Sequence, residues 1–388
     1  MKSKKSSVQG NYYIGLMSGT SADGIDLALV DFSLEQQPRL VASYYQEYNS
    51  VIAEKITSLY QSGTNEIDRA FHLDVELAEL FAHAISALLL QEGLTAQDII
   101  AVGNHGQTVR HRPNGAHPFT LQIGCCQTLA TISGIRVVGQ FRRKDMALGG
   151  QGAPLVPIFH QQLFAEQRGA SFVVNIGGIA NITFLPAQSS TQVVLGFDTG
   201  PGNALLNDWY LKHYQNSINA FDKDGAWAAE GKVNNALLRQ FMHDDYITQS
   251  APKSTGREYF NLDWLKEQLG NFNAQSASNQ STETVSATDI QATLLAFTTE
   301  SISNAIKMLA KQGSVYLCGG GVHNSTLVNS LRQMMNNSSS DYEINTMEAL
   351  NIDGDILEAM AFSWLAYAFD KGINSNMPAV TGASASCT

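Results

Sequence analysis

The spacing of apolar and polar residues predicts an alternating series of strands and helices in the first part of the chain. Within residues 12–32, two apolar runs flank a polar turn, and the second run alternates at the period of a strand. The long helix that follows has Asp68 as a candidate cap and Gly93 as a stop. The elements expected after this hairpin are a strand at 39–48, the helix at 68–94, and strands at 98–106 and 136–139.

The same order returns after an irregular segment at residues 140–157. That segment holds three glycines and two prolines, which indicate a connector or a domain boundary. The stretches 271–287 and 335–341 are rich in Asn, Ser and Gln and are predicted as surface loops. The elements expected in this part are strands at 171–178, 181–185, 193–198 and 314–318, and helices at 202–214, 288–312 and 355–369.

Both parts begin with a hairpin and a third strand and continue with helix and strand. This weak internal similarity predicts two related α/β domains. We place the first at 11–139 and the second at 140–370, with the option that the C-terminal helix packs back on the first domain.

Composition and charge exclude several classes of function. The formal net charge of the 388 residues is −11, and no basic stripe offers a footprint for nucleic acid. No apolar run is long enough for a transmembrane helix, and no signal-peptide pattern is present, so we expect a cytoplasmic protein. Cys125, Cys126, Cys318 and Cys387 form no C-x-x-C pair, which argues against a zinc site or a disulfide framework.

The first segment with the chemistry of a binding site is the turn from Ser18 to Gly24. Glycines allow a close backbone approach, and hydroxyls with successive N–H groups can hold phosphate oxygens. Asp23 in the same loop is a candidate ligand for hydrated Mg²⁺. The alternative is a plain hairpin turn in which Asp23 and Gly24 supply only the geometry.

The second segment is Val194–Asn203, in which Asp198 is predicted at the end of a strand. A carboxylate at the carboxyl end of a strand is well placed to face a crevice, and small residues follow it. The alternative is that Asp198 caps the turn or the next helix.

Three further segments carry candidate residues. The strand ending in Gly319, Gly320 and Gly321 suits the approach of adenine or phosphate, or else makes a tight strand–helix connection. Glu358 lies in the first turn of an apolar helix, where the helix dipole favours an acid in any case. The segment 103–112, expected as a loop after a strand, offers His105, Gln107, Thr108 and Arg110, although His105 could simply be a satisfied loop histidine.

Four common catalytic patterns are absent from the chain. There is no Walker P-loop, no G-x-G-x-x-G, no G-x-S-x-G nucleophile elbow and no H-E-x-x-H. P-loop, Rossmann and protein-kinase-type glycine loops, and the usual hydrolase and metalloprotease motifs, are therefore excluded.

The whole set of motifs resembles one family within the actin/hexokinase/Hsp70 superfamily. The chain is similar to anhydro-N-acetylmuramic acid kinases from about Tyr13 to Tyr367. The fold implied by the resemblance is two actin/hexokinase-like, ribonuclease H-like domains with an interdomain cleft. The resemblance is carried, in order, by the strings GLMSGTSADGID, GNHGQTVRHRP, FRRKDMALGGQGAPLVP, NIGGIANITFL, GFDTGPGN and CGGGVHN.

The resemblance implies an ATP-dependent enzyme of peptidoglycan recycling. It would convert 1,6-anhydro-N-acetylmuramic acid, ATP and water into N-acetylmuramic acid 6-phosphate and ADP, with Mg²⁺ on the phosphates. By that resemblance residues 19–26 are the first phosphate loop, 175–181 the second, and 319–321 the adenosine end. The implied nucleotide-binding residues are Gly19, Thr20, Ser21, Ala22, Asp23, Gly24, Ile25, Asp26, Asn175, Gly177, Gly178, Gly319, Gly320 and Gly321.

The same resemblance assigns the sugar side. Asp198 would be the catalytic base, and Glu358 matches a sugar-contacting glutamate. We include His105, Gln107, Thr108, Gly202 and Asn203 as further sugar contacts, and Arg110 or Arg142 as the cation for the lactyl carboxylate of the sugar. The family also suggests a homodimer. The alternatives are another sugar or carboxylate kinase of the superfamily, and a nucleotide-gated sugar sensor that has lost turnover.

Overall fold

The computed structural model describes residues 10–34, 38–164, 169–215, 221–251, 253–278, 285–336, 341–350 and 352–388. The contacts divide the chain into two compact units. The first unit comprises the chain up to Ala165 together with Ile356–Thr388, and the second comprises Glu166–Asp355.

Strands and helices alternate through most of the described chain. The strands are β1 (Tyr12–Ser18), β2 (Gly24–Asp31), β3 (Arg39–Glu47), β4 (Ile99–Arg112), β5 (Phe119–Ile123), β6 (Val137–Gly139), β7 (Ser171–Ile176), β8 (Ile179–Leu185), β9 (Leu195–Pro201), β10 (Gln312–Cys318) and β11 (Asp341–Thr346). The helices are α1 (Ser50–Thr57), α2 (Glu66–Glu92), α3 (Cys126–Ser133), α4 (Phe141–Ala147), α5 (Pro157–Leu163), α6 (Ala204–His213), α7 (Ala226–Glu230), α8 (Asn235–Met242), α9 (Asp245–Thr248), α10 (Leu262–Ser278), α11 (Ala287–Leu309), α12 (Ser325–Asn336), α13 (Leu357–Lys371) and α14 (Pro378–Thr381).

The sheet of the first unit has the order β3-β2-β1-β4-β5, with β6 also paired to β4. Strand β2 is antiparallel to both β1 and β3, whereas β1, β4 and β6 run parallel. The apolar face of α2 packs on this sheet through residues such as Leu77, Phe81 and Ile85, all fully buried. The helix ends at Gly93, whose φ of +66° is the left-handed conformation that glycine adopts without strain.

Helix α13 packs on β1, β2 and β4 at unusually short range. An added Cβ at Gly15 would overlap the Ala359 carbonyl, and one at Gly103 would overlap the Phe362 carbonyl. These two glycines therefore set the distance between the helix and the sheet. Eleven of the 15 residues of α13 are buried, which explains why its sequence is apolar around the circumference up to residue 368.

The sheet of the second unit has the order β11-β10-β7-β8-β9. Here β7, β8 and β9 form the antiparallel part, and β7, β10 and β11 run parallel. The long helix α11 is buried along most of its length in the core of this unit, which also contains Trp209, Phe241 and Trp264.

The two sheets share a common arrangement, in which the antiparallel strands β3-β2-β1 and β9-β8-β7 are followed by the parallel strands β4-β6 and β10-β11, and the first sheet has β5 in addition. This repetition confirms the predicted mixed α/β fold of two related units. The division between them falls at 165/166, and not at 139/140 where the sequence analysis placed it. The reason is that α4 packs on β5, and α5 on α13, both within the first unit.

The prediction of three loops is wrong in part, because these segments contain strands or helices. The segment 103–112 belongs to β4, because residues 107–112 pair with β5, a strand that the sequence did not predict. The connector 140–157 contains α4, and its last residue begins α5. Residues 271–278 are helical in α10, whereas 279–284 lie outside the described residues.

Several element bounds also differ from the prediction. Residues 335 and 336 end α12 and residue 341 begins β11, while 337–340 lie outside the described part. Strand β9 continues beyond Asp198 to Pro201. Asn65, and not Asp68, is the N-cap of α2, so Asp68 lies in the first turn. None of the helices in the described part of the chain combines the length and apolar character needed to cross a membrane.

Candidate active site

The turn between β1 and β2 is supported by a buried serine and a buried glutamine. Ser18 Oγ donates to Oε1 of Gln107 at 2.6 Å, and Nε2 of Gln107 donates to the Gly19 carbonyl at 2.9 Å. Tyr60 reinforces the turn by donating its hydroxyl to the Thr20 carbonyl at 2.8 Å. The oxygen and the nitrogen of the Gln107 side-chain amide are both hydrogen-bonded within the first unit, so this side chain shapes the turn.

The tip of this turn is polar and exposed. Ser21 Oγ donates to Oδ1 of Asp23 at 2.7 Å, and both side chains face solvent. Ala22 is buried with a φ of +55°, and Gly24 is required because an added Cβ would crowd the ring of Tyr45. The tip therefore offers hydroxyl and carboxylate groups on a fixed backbone.

The last two residues of the predicted phosphate loop belong to β2. Ile25 is fully buried in the core of the first unit, and Asp26 is half-buried. The Ile25 side chain thus stabilises the fold, and only the backbone of Ile25 remains for a ligand.

A second polar cluster of the first unit joins β4 with α4. Arg142 donates its Nε to Nε2 of His105 at 2.9 Å, and His105 Nδ1 lies 2.7 Å from the Gly106 carbonyl. A guanidinium can only donate, so His105 Nε2 accepts and the ring proton lies on Nδ1. Burial, followed by the charge of Arg142, holds the pKa of His105 well below its usual value. His105 is therefore a neutral imidazole that orients Arg142.

Glu358 at the start of α13 belongs to the same electrostatic environment. Burial lowers the pKa of Arg142, and the carboxylates of Glu358 and Asp145 act in the opposite direction. Arg142 is half-buried, and its Nη1 donates to the Gly152 carbonyl at 2.9 Å. The structure thus brings His105, Arg142 and Glu358 together, although they come from three separate parts of the sequence.

Arg110, the other candidate cation for the lactyl carboxylate, is already bonded to residues of its own unit. Its Nη2 forms an ion pair with Glu66 at 2.6 Å, and its Nε donates to the Leu59 carbonyl at 3.0 Å. Thr108 accepts a hydrogen bond from Gln122 of β5 at 3.1 Å. Both residues therefore tie β4 to neighbouring elements.

In the second unit, three glycine-containing segments lie at the same end of the strands. They are the β7–β8 turn, the residues that end β9 and the residues after β10. Asn175 pairs with Cys318 in the parallel β7–β10 ladder, so the turn at Gly177 and Gly178 and the segment 319–321 leave the sheet at the same end. The N–H groups of Gly202 and Asn203 donate to the carbonyls of Gly178 and Gly177, at 2.9 and 2.8 Å. The β7–β8 turn is thus bonded to the residues that follow β9.

The predicted ligand glycines fall into two groups. Those of the first group are needed by the fold: an added Cβ would overlap the Gly177 carbonyl at Gly202, Asn175 at Gly319 and Ile176 at Gly321. Those of the second group leave room: an added Cβ would lie 3.4 Å from its nearest neighbour at Gly19 and Gly177, 3.8 Å at Gly178, and more than 4 Å at Gly320. The internal packing of the described residues does not demand glycine at this second group, whereas a ligand resting on the backbone would.

Asp198 presents a fixed carboxylate in β9. Its Oδ2 accepts hydrogen bonds from the Ser254 hydroxyl and from the Thr255 amide, each at 2.9 Å. Burial raises the pKa of Asp198 to about 6, while the bonds from Thr255 and Ser254 act against this rise and the nearby Glu258 adds to it. A carboxylate with its pKa in this range is ionised at neutral pH and can still accept a proton, as a general base must.

The partners of Asp198 were missed by the sequence analysis. Ser254 and Thr255 follow α9, and the N–H of Asp198 donates in return to the Lys253 carbonyl at 3.1 Å. The hydroxyl of Tyr246 also donates to the Asp198 carbonyl at 2.8 Å. No motif in the segment 253–255 signals this role, because it consists of backbone and hydroxyl donors placed by the fold. Asp198 does not cap helix α6, whose N-cap is Asn203.

A buried carboxylate holds the segment that contains these partners. Asp244 accepts hydrogen bonds from the Tyr259 hydroxyl at 3.1 Å and from the Trp264 indole N–H at 2.9 Å. It also caps α9 through the Tyr246 amide. The loop between α9 and α10 is therefore fastened at both ends.

No cluster of three or more His, Cys, Asp or Glu side chains suited to a metal ion occurs within the described ranges. Asp23, the predicted Mg²⁺ ligand, is a single exposed carboxylate. Mg²⁺ commonly binds through one or two carboxylates with substrate phosphates and water, so one carboxylate on a phosphate-type turn fits the donor set of a nucleotide-bound ion.

Two sheets of this common arrangement, each with a glycine-containing turn between its first two strands, define an actin/hexokinase-like protein. The comparison with known families agrees. The model of the anhydro-N-acetylmuramic acid kinase family matches residues 11–388, and the chain belongs to that family.

Relatives with the same name are similar over their full length. An anhydro-N-acetylmuramic acid kinase of Colwellia psychrerythraea strain 34H is 70% identical over 389 residues, covering 100% of this chain and 98% of the relative. One of Shewanella denitrificans strain OS217 is 48% identical over 375 residues, covering 97% and 96%. The resemblance inferred from the six motifs is thereby confirmed.

Solved structures resemble the chain only distantly. The activator of a 2-hydroxyisocaproyl-CoA dehydratase from Clostridium difficile, with bound ADPNP, aligns at a TM-score of 0.43 and 14% identity, over 93% of this chain and 95% of that one. A ROK family glucokinase from Streptomyces griseus aligns at a TM-score of 0.39 and 11% identity, over 91% and 98%.

Proposed function

We propose that the chain is an ATP-dependent kinase that opens 1,6-anhydro-N-acetylmuramic acid with water and phosphorylates oxygen 6. The products are N-acetylmuramic acid 6-phosphate and ADP. Membership of the family and 70% identity to a relative of that name support this activity. The structural observation that carries it is the carboxylate of Asp198, with one oxygen held by Ser254 and Thr255 and a pKa of about 6.

The chemistry of the sugar defines what this carboxylate must do. In an ordinary sugar kinase, a carboxylate removes the proton of the attacking hydroxyl. Oxygen 6 of the anhydro sugar is part of the internal acetal and carries no proton. Asp198 therefore acts on water, which attacks the anomeric carbon, and the bond from that carbon to oxygen 6 breaks.

One base is sufficient for the coupled reaction. Asp198 takes the proton of the attacking water, and the new bond joins the water oxygen to carbon 1. The released oxygen 6 attacks the γ-phosphorus of ATP, and ADP leaves with the electron pair of the broken phosphoanhydride bond. No second acid is required, because the phosphoryl group captures the leaving oxygen.

Each unit carries its own candidate nucleotide contacts: the β1–β2 turn in the first unit, and the β7–β8 turn with the segment after β10 in the second. Gly19, Gly177, Gly178 and Gly320 leave the space for a close backbone approach, which supports phosphate and nucleoside contacts there. Thr20, Ser21 and Asn175 add polar groups beside them, and Asp23 would hold the magnesium ion. Bound Mg²⁺ neutralises phosphate charge.

The sugar would be held on the first unit by Arg142, His105 and Glu358. Arg142 is the cation that we assign to the lactyl carboxylate, since Arg110 is paired with Glu66. Neutral His105 fixes one edge of the guanidinium, and Glu358 would accept hydroxyl or amide protons of the sugar. Gly202 and Asn203, which were predicted as sugar contacts, bond the β7–β8 turn through their N–H groups.

The location and the oligomeric state of the enzyme are further expectations from the sequence. We propose a cytoplasmic enzyme of peptidoglycan recycling that acts as a homodimer. Size-exclusion chromatography with light scattering tests the second point, and a mass of one chain at micromolar concentration would contradict it.

Heavy-oxygen water tests the proposed reaction directly. The enzyme is incubated with the anhydro sugar and ATP in H₂¹⁸O, and the sugar phosphate is analysed by mass spectrometry. We expect one heavy oxygen at carbon 1 and none in the phosphate. Labelled inorganic phosphate in place of the sugar phosphate would mean that water attacks ATP, and an unlabelled sugar phosphate would mean ordinary transfer to a free hydroxyl; either result contradicts the proposal.

A further inference from the structure

A chain of hydrogen bonds leads from the proposed sugar site to a buried carboxylate to which the sequence analysis assigned no role. Asp145 lies on α4, one turn after Arg142, and its relative exposure is 0%. Its Oδ2 accepts from the Gly152 amide at 2.8 Å. The carbonyl of the same Gly152 accepts from Arg142 Nη1 at 2.9 Å. One carboxylate therefore holds the N–H of the residue whose carbonyl orients the guanidinium.

The other oxygen of Asp145 is held by the segment after α13. Oδ1 accepts from Asn376 Nδ2 at 2.8 Å and from Thr381 Oγ1 at 2.7 Å. These donors lie 231 and 236 residues away in the sequence. A buried carboxylate with three such donors is fully fixed, and removing one of them leaves it poorly compensated.

The same segment also bonds the backbone of the loop that follows α4. The Gln151 amide donates to the Thr381 carbonyl at 2.8 Å, and the Ser384 amide donates to the Leu148 carbonyl at 2.7 Å. The segment is closed on itself, since the Cys387 amide donates to Asn376 Oδ1 at 2.8 Å. Residues 375–387 thus form a strap across the loop 148–152, and Asp145 is its central anchor.

We propose that Asp145 and the strap act as a positioning device for substrate recognition by Arg142. The bonds run from Thr381 through Asp145 and Gly152 to Arg142, and from there to Nε2 of His105. An arginine with four rotatable side-chain bonds loses much entropy on binding unless its geometry is fixed beforehand. The strap fixes that geometry in advance.

The role in sugar binding rests on the proposed function, whereas the effect on the Arg142–His105 bond does not. Two measurements therefore separate them. The first is the hydrogen bonding of His105 Nε2, read from the imidazole ¹⁵N shifts in the full chain without ligand. The second is the pair of KM values, for the anhydro sugar and for ATP.

Asp145→Asn is the direct variant, because an amide cannot accept from Gly152 on one side and from Asn376 and Thr381 on the other. Thr381→Val is the milder variant, which removes one donor and keeps the shape of the side chain. Thr381→Ser restores the hydroxyl and is the matched control. If Asp145→Asn does not fold, the Thr381 pair decides the question.

The wild type is expected to show His105 protonated at Nδ1. In Thr381→Val the Nε2 shift is expected to change, because Nε2 loses its donor from Arg142 while the Gly106 carbonyl still holds the proton on Nδ1. The KM for the sugar is expected to rise about tenfold in Thr381→Val, with the KM for ATP within about twofold, and Thr381→Ser to return both readouts toward wild type. A lower melting temperature with an unchanged Nε2 shift and unchanged sugar KM would overturn the proposal, because the strap would then be structural only. If the Nε2 shift changes but the wild type does not turn over the sugar, the positioning stands and the proposed function fails.

Discussion

The Asp198 carboxylate accepts a hydrogen bond from the backbone amide of Thr255, with 2.9 Å between Oδ2 and the amide nitrogen. This bond joins a sheet strand to a loop 57 residues further along the chain. The Ser254 hydroxyl occupies the same oxygen, so the two donors fix the plane of the carboxylate. A base that is oriented before the substrate arrives has no reorganisation cost during the reaction.

Asp198→Asn is expected to lower kcat by about 10²- to 10⁴-fold, the usual contribution of general-base catalysis. The amide oxygen of Asn can still accept from Ser254 and Thr255, so the strand and loop should keep their structure. Sugar and ATP affinities should change much less than kcat, since the lost proton transfer belongs to the transition state. Kinetics, ligand titration and melting temperature are measured on the same preparation. A near-normal kcat would remove Asp198 from the mechanism, and a lower melting temperature with normal kcat would make it a turn cap.

The pH dependence of kcat is expected to follow the ionisation of Asp198. The carboxylate form is the base, and its pKa is about 6, so kcat should fall as the pH drops through 6. Ser254→Ala removes a hydrogen bond that favours the charged form, so the pKa rises and the fall should begin at a higher pH. Ser254→Thr keeps the hydroxyl and serves as the control. A pH–rate profile in which Ser254→Ala matches the wild type would show that Ser254 does not tune this group.

The raised pKa of Asp198 also makes the stability of the folded state depend on pH. The folded pKa of Asp198 is raised above its ordinary value of 3.8, so the group favours the folded state most below that value, and this contribution is lost as the pH rises toward 6. Asp198→Asn removes the ionisation. Its melting temperature relative to wild type is therefore expected to be higher at pH 8 than at pH 4. An equal difference at both values would contradict the raised pKa.

A pair of neighbouring glycines separates ligand contact from folding. Gly320→Ala places a Cβ in open space, whereas Gly321→Ala places one against Ile176. We expect Gly320→Ala to keep its melting temperature and to raise the KM for ATP about tenfold or more, because a methyl group would stand where the nucleotide approaches. Gly321→Ala should lower the melting temperature. If ATP affinity is normal in Gly320→Ala, the nucleotide does not rest on this backbone.

The role of Asp23 can be tested through the metal. Asp23→Ala is expected to raise the Mg²⁺ concentration that gives half-maximal activity, with little change in melting temperature, because the side chain is exposed. Ser21→Ala is the matched control, since it removes the same loop hydrogen bond and keeps the carboxylate. If both variants have the Mg²⁺ dependence of the wild type, the turn does not hold the ion.

Arg142 and Arg110 are a matched pair of arginines with opposite expectations. Arg142→Lys loses the planar fork that suits a carboxylate, so the KM for the anhydro sugar should rise about tenfold. Arg110→Lys weakens the contacts with Glu66 and Leu59 and should lower the melting temperature instead. For an anhydro sugar without the lactyl group, Arg142→Lys should change the KM only slightly. An equal loss for both sugars would mean that Arg142 does not recognise the carboxylate.

The sequence by itself determined the elements whose signals are local. The alternating run 12–32, the long apolar helix ending at Gly93 and the glycine-containing strand ends at 177 and 319 were all predicted, because period, turn residues and caps lie within a few residues of each other. The repeat of this order was sufficient to predict two related α/β units. The motifs also identified the family, because their residue types and their order can be recognised in the sequence alone.

Only the tertiary structure decided which side chains meet. Residues 107–112 became a strand because β5 pairs with them, and no local pattern announces a pairing partner. Arg142 and His105 are 37 residues apart, Asp198 and Ser254 are 56 apart, and Asp145 and Thr381 are 236 apart. Such contacts depend on the path of the whole chain and on which groups are buried together, and burial is what makes each hydrogen bond necessary. The sequence therefore placed Asp198 among the candidates, and the fold supplied the donors that can make it a base.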